Sequence, residues 1–209
     1  DISGLEYAEN LEDLSLYRTN VSDLAPIAGL KNLKKLYIYN NEKVTDISAL
    51  KDLTQLSVLY MDNTEVTDIS VLENLTQLII LDISNTKVID IESLANLANL
   101  ERLNISKTDI ADIKALGKLK NLKWLNMSET KVADISALES ATALRYFQAK
   151  STQISDISPL KNAEYMQSVF LDKCSNISKI DSLYDLERLE YLSVTETQVS
   201  DDERLEFAK

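Results

Sequence analysis

The chain is periodic almost from end to end, and a period constrains a fold more tightly than composition does. Aligned on the leucine near the start of each unit, it divides into copies that begin at Asn10, Asn32, Gln55, Gln77, Asn99, Asn121, Ala143, Tyr165 and Arg188, at steps of 22 or 23 residues. Nearly every unit fits one template, L-x-x-L-x-L-x-x-T-x-V-x-D-I-x-x-L-x-x-L; the sixth, NLKWLNMSETKVADISALESAT, is a clear example. Repeats of this length imply a stacked array, because one unit is too small to enclose its own apolar side chains.

The template translates directly into geometry. L-x-x-L-x-L ends in period-two alternation, the pattern of a short strand with one buried face. In the sixth unit Leu122, Leu125 and Met127 are expected to point inward, and Trp124, Asn126 and Ser128 outward. Val132, Ile135 and Leu138 follow at spacings of three, which suits a short 3₁₀ turn. The fold class is therefore an α/β solenoid: a right-handed, curved leucine-rich-repeat array with a concave parallel sheet and short 3₁₀ or irregular turns on the convex side. Residues 1–209 read as one domain. Two units carry one extra residue, in NNEKV (Asn40 to Val44) and KCSNI (Lys173 to Ile177), and both are expected to bulge at a loop edge without breaking the stack.

The ends continue the pattern. Asp1-Ile2-Ser3-Gly4-Leu5 matches the D-I-x-x-L half of the template, so residues 1–9 read as a partial repeat. Starting in mid-repeat, the chain is expected to have had sequence upstream. Ser200-Asp201-Asp202-Glu203 reads as the capped start of a helical turn over about 200–209.

Composition excludes several functions. With 22 basic against 34 acidic residues and a net charge of −12, the chain lacks the clustered Lys and Arg that bind a phosphate backbone or anionic lipid. There is no apolar run long enough to span a membrane. There is no histidine, hence no histidine-based triad or metal site. No glycine loop that cradles phosphate is present, and no cofactor is implied. Asp62 and Asp82 fall on adjacent strands at a diagonal spacing of roughly 7–8 Å, within the range of an inverting glycosidase pair. With 34 acidic residues on a regular scaffold, that spacing arises without catalytic purpose. Cys174, the single cysteine, falls in an insertion and reads as a packed loop residue.

The column Asp23, Asp46, Asp68, Asp90, Asp112, Asp134 and Asp156 precedes each turn. Its recurrence beside isoleucine marks it as a cap for free backbone N–H groups rather than a cation ladder.

The outward strand positions carry the functional signal. They collect Tyr17, Tyr37, Tyr39 and Tyr60, beside Val58 and Ile80, in an N-terminal patch. Trp124, Tyr146, Phe170 and Tyr191 form a C-terminal one. A polar floor of Asn104, Ser106, Asn126 and Ser128 lies between. Aromatic residues exposed on a rigid sheet are the material of interface hot spots. Basic and acidic residues, Arg102 and Lys150 among them, balance over these positions, so the acidic excess falls on the flanks. Mixed charge on the sheet face sets partner choice.

ISDISPL (Ile154 to Leu160), VTDISAL (Val44 to Leu50) and VADISAL (Val132 to Leu138) resemble the repeat of the internalin family of Gram-positive surface proteins. Thr19, Thr64, Thr86, Thr108, Thr130, Thr152 and Thr197 stand where that family often has asparagine. The resemblance implies protein recognition by the concave face, export to the cell surface or medium, and a host protein as the partner. The chain itself is expected to be a monomer. Two other readings stay open. A cytoplasmic scaffold would be similar to the leucine-rich regulatory subunits of type-1 phosphatase, which share a 22-residue repeat. A carbohydrate-binding aromatic platform would use the same rings.

Overall fold

A computed structural model describes residues 2–203 of the chain. Its strands are β1 (Asp13–Ser15), β2 (Lys35–Tyr37), β3 (Val58–Tyr60), β4 (Ile80–Asp82), β5 (Arg102–Asn104), β6 (Trp124–Asn126), β7 (Tyr146–Gln148), β8 (Ser168–Phe170) and β9 (Tyr191–Ser193). They form one parallel sheet in sequence order. A short 3₁₀ turn precedes each strand on the opposite side of the array, as at Lys114–Lys118 before β6. The middle residue of every strand pairs with its equivalent: Leu14, Leu36, Leu59, Leu81, Leu103, Leu125, Phe147, Val169 and Leu192 form one continuous apolar column. Leu122, Leu125, Met127, Val132, Ile135 and Leu138 are all buried, as the alternation and the spacing of three predict.

The strand gives way to the turn by a device repeated in every unit. Arg18, Asn40, Asn63, Asn85, Lys107, Glu129, Ser151, Lys173 and Glu196 all have φ between 51° and 63°. This left-handed residue bends the chain inward while its N–H still reaches the next repeat, as from Lys107 to Ser128 O at 2.9 Å and from Glu129 to Lys150 O at 2.8 Å. The following side chain then dives into the core. The Thr130 hydroxyl donates to Met127 O at 2.7 Å, and Thr64, Thr86, Thr108 and Thr152 repeat the bond three residues back. Each buried carbonyl at the bend thus gains a donor.

That column corrects the reading of the two long units. Asn41 and Cys174 sit in the threonine column itself, and the extra residue comes after them. Asn41 Nδ2 donates to Leu16 O and Ile38 O, each at 2.8 Å, while its Oδ1 accepts the Thr19 N–H at 3.1 Å. Cys174 is wholly buried; its Sγ lies 3.0 Å from Ala149 O and 3.3 Å from Thr152 Oγ1. It is packed, as expected, but it stands in the threonine column and is not the inserted residue. The strands on either side stay in register.

The aspartate column caps the turns. Asp46, Asp68, Asp112 and Asp134 accept the N–H two residues on at 2.7–2.8 Å. The nominal N-cap is the next residue, an isoleucine such as Ile47 or Ile69, which has no acceptor. These backbone N–H bonds hold the carboxyls of Asp68, Asp112 and Asp134 below the ordinary range. At the last turn, Ser200 Oγ accepts the Glu203 N–H at 3.2 Å and Glu203 Oε1 accepts the Ile180 N–H at 2.9 Å. Residues 201–203 are helical; Asp1 and residues 204–209, on which most of the helical turn read over about 200–209 falls, lie outside the described residues.

Leu125→Ala should cost about 2–5 kcal/mol through the cavity it leaves, read from urea unfolding. Lys107→Asn and Glu129→Asn should each raise stability by about 0.5–1 kcal/mol, because asparagine tolerates the left-handed region better. The same unfolding curves measure it.

Candidate binding face

In-register strands place equivalent side chains about 4.8 Å apart, which is close to a ring-stacking distance. The N-terminal patch exploits this. Tyr17 stacks on Tyr39 with ring centres 4.8 Å apart and planes at 19°. Tyr37 stacks on Tyr60 at 5.5 Å and 15°. Tyr39 meets Tyr60 edge-on at 6.5 Å, tying the two stacks together. With Lys35, Val58, Asp62, Ile80 and Asp82, three of these tyrosines line a shallow concavity of about 640 Å³.

The C-terminal patch is held by cations as well as rings. Phe170 and Tyr191 lie 4.8 Å apart at 34°. The Lys150 ammonium sits 4.9 Å from the Phe170 ring centre and 3.0 Å from Asp172 Oδ2. The Arg102 guanidinium lies 5.2 Å from the centre of Trp124. Trp124 pairs in register with Tyr146 across β6 and β7. Tyr17, Tyr146 and Tyr191 are exposed at 43%, 39% and 52%, enough to offer ring faces to a partner. Tyr37, Tyr39, Tyr60, Trp124, Lys150 and Phe170 are half-buried, and Arg102 is exposed. The structure therefore gathers the expected residues into two patches on one face.

The polar floor differs from its expected form. Ser106 and Ser128 are buried rather than outward. Each is folded under the residue two before it: the N–H of Ser106 reaches Asn104 Oδ1 at 3.2 Å, and that of Ser128 reaches Asn126 Oδ1 at 3.0 Å. Asp82 repeats the motif with Ser84, whose N–H and hydroxyl donate at 2.9 and 2.6 Å. Its second oxygen accepts Asn104 Nδ2 at 2.9 Å. Both oxygens of Asp82 thus serve the scaffold.

Three comparisons bear on kinship. The family described as Leucine Rich repeats (2 copies) matches residues 9–52, 54–96 and 98–140. The structure of internalin C2 from Listeria monocytogenes superposes with a TM-score of 0.85 at 31% identity, over 88% of this chain and 80% of that one. The chain belongs to the internalin-like leucine-rich-repeat proteins. A second internalin of that species, inlF, matches at 28% identity and a TM-score of 0.78, over 98% of this chain and 67% of its own. The ectodomain of the Arabidopsis thaliana receptor kinase GASSHO1/SCHENGEN3, solved in complex with CASPARIAN STRIP INTEGRITY FACTOR 2, shares the fold alone. It matches at 20% identity and a TM-score of 0.76, over 93% of this chain and 25% of its own. A comparison with curated protein sequences returned no match.

This internalin-like array has the fold of a leucine-rich-repeat protein-interaction module. Among the described residues, no helix is long and apolar enough to cross a membrane, and no cluster of metal-ligating side chains occurs. One contact escaped the sequence reading: Tyr165 lies between Arg188 and Arg145, 4.7 and 5.9 Å from its ring centre. These residues stand at or near unit starts, where the template records no aromatic or basic preference.

Two aspartates in one column have opposite electrostatics. Burial raises the Asp172 carboxyl, but donors from Ser193, Thr195 and Lys150 outweigh it and hold the group well below the usual range. Burial, and then the charge of Asp82, push Asp62 up to about 6. Asp172 therefore stabilises the fold above its unfolded pKa, and that contribution is lost as pH falls. Asp62 destabilises it above its folded pKa, and that cost is relieved as pH falls. Asp172→Asn should cost about 1.5–3 kcal/mol at neutral pH, with the gap narrowing below about pH 4. Asp62→Ser should stabilise at neutral pH by about 1 kcal/mol, after allowance for its partial exposure. That gain should vanish between pH 6 and about 4. Urea titrations across pH measure both slopes.

Proposed function

We propose that this chain is a non-enzymatic binding module that recognises a protein partner through its concave face. The observation that carries the reading is the placement of Tyr17, Tyr37, Tyr39 and Tyr60 with Arg102, Trp124, Tyr146, Lys150, Phe170 and Tyr191 on one side of one rigid sheet. A solenoid gains no stability from ring faces turned to water, whereas an interface gains most of its affinity from a few such anchors. Tyr17, Tyr37, Tyr39, Tyr60, Trp124, Phe170 and Tyr191 each meet a neighbouring ring or a cation, so less side-chain entropy remains to be lost on association.

The likeness to two internalins of Listeria monocytogenes supports a bacterial surface or secreted protein; on this reading the chain acts as a monomer and its partner is a host protein. The receptor ectodomain, solved with a bound factor, supports the use of this fold for protein recognition.

The test is capture from host and bacterial lysates with the wild-type chain and with Trp124→Ala/Tyr146→Ala in parallel. The double variant should lose more than about 2 kcal/mol, roughly 30-fold in affinity, for a partner that the wild type retains. Its melting temperature should stay unchanged. Equal retention by both chains removes the C-terminal patch from the interface.

A further inference from the structure

One constellation occurs twice along the sheet. Tyr60 ends β3, and Asp62 follows two residues later; Phe170 ends β8, and Asp172 follows two residues later. In the second copy the chain supplies its own cation. Lys150, two residues past β7, lies 4.9 Å from the Phe170 ring centre and 3.0 Å from Asp172. The equivalent position in the first copy, two residues past β2, is Tyr39, which turns its edge to Tyr60 at 6.5 Å. A third ring thus stands where the other copy has an ammonium group.

Among the described residues, no cation pairs with a carboxylate of the first copy, although the charge of Arg102 bears on Tyr60. Asp62 accepts Asn63 Nδ2 at 2.6 Å, and no ion pair to Asp62 or Asp82 forms among the described residues. Lys35 lines the same concavity, but its ammonium is 3.4 Å from Asp13. Arg102 lies over Trp124.

We infer that Tyr39, Tyr60 and Asp62, with Tyr37 and Asp82 beside them, take a lysine or arginine side chain of the protein partner, which enters from the concavity they line rather than from the position that Lys150 holds in the second copy. This rests on the concave face being the binding face. Ring faces attract a cation. A half-buried carboxylate beside a second one carries charge that a neutral ligand does not offset. The pKa of about 6 at Asp62 has that origin, and an incoming cation would lower it.

The neighbouring repeats supply substitutions compatible with the scaffold. Asp62→Ser and Asp82→Asn install the residues that units four to six carry in those columns, Ser84 and Ser106 in one and Asn104 and Asn126 in the other. The probe is a phage-displayed library of random dodecapeptides selected on the wild-type chain near neutral pH. Selected peptides should share a lysine or arginine. Replacing it with norleucine or citrulline should weaken binding about tenfold, a typical scale for a desolvated cation–π and ion-pair contact. Asp62→Ser/Asp82→Asn should do the same, and the two losses should not add. Wild-type affinity should fall below pH 6 as Asp62 takes up a proton, and Asp62→Ser should abolish that fall. The other charged or titratable groups that face the site are Lys35, Tyr37, Tyr39, Tyr60 and Asp82, with Arg102 beside Tyr60.

Peptides that lack a basic anchor, or that ignore Asp62→Ser/Asp82→Asn while losing affinity on Trp124→Ala/Tyr146→Ala, overturn this inference and leave the concave reading standing. Peptides indifferent to both double variants count against the concave face as well. Failure to select any peptide counts against a preformed cation site.

Discussion

Each repeat hands its strand backbone to the next, and each bend stays bonded to the unit after it. The N–H of the left-handed residue reaches forward one repeat, while the threonine behind it satisfies a carbonyl of its own unit. Without this the chain could not leave the sheet and enter the core at the same point, because a buried carbonyl at the bend would lack a donor. The residue types tolerated there follow. Asn41 does more than threonine by reaching back to Leu16 as well as to Ile38, whereas the Cys174 thiol meets the preceding unit's Ala149 carbonyl and leaves Leu171 O to the Cys174 backbone N–H. A one-residue insertion placed after the column leaves the ladder intact.

The aromatic face is a by-product of that register. Strands locked residue for residue turn outward side chains into columns with near-constant spacing, so tyrosines in successive units stack without further arrangement. The same spacing lines up charges. Lys34 with Glu12, Lys87 with Glu65, Lys123 with Glu101 and Lys131 with Asp109 pair across neighbouring repeats at 2.6–3.8 Å. These exposed pairs add little stability each. Lys34 and Lys123 are thereby engaged beside the sheet, as are Lys35 and Lys150 in pairs of their own, and none of these pairs reaches Asp62 or Asp82.

Much of this was legible before any coordinates. The alternation at Leu122, Leu125 and Met127 fixes which side faces in, and burial follows it. The aspartate column was readable as a cap because a short carboxylate before a turn has one obvious use. Ser106 and Ser128 were misjudged because alternation assigns a side chain to a face but says nothing of a backbone that bends away after the strand. The packing of Cys174 was legible, but the side on which the insertion falls was not, because alignment within a long unit can set the extra residue on either side of a column. Only the hydrogen bonds to Ala149 and Thr152 decide between them.

The sequence by itself determined the period, the inward face, the turn caps and the membership of two aromatic columns, since each follows from spacing that local geometry must obey. The tertiary structure decided what those columns do. Lys150 and Asp172 are 22 residues apart, as are Lys123 and Glu101, yet only the first pair closes over a ring. Asp62 and Asp172 occupy the same column and carry opposite perturbations. Such differences come from which neighbour's side chain reaches across the sheet, a through-space matter on which the period is silent.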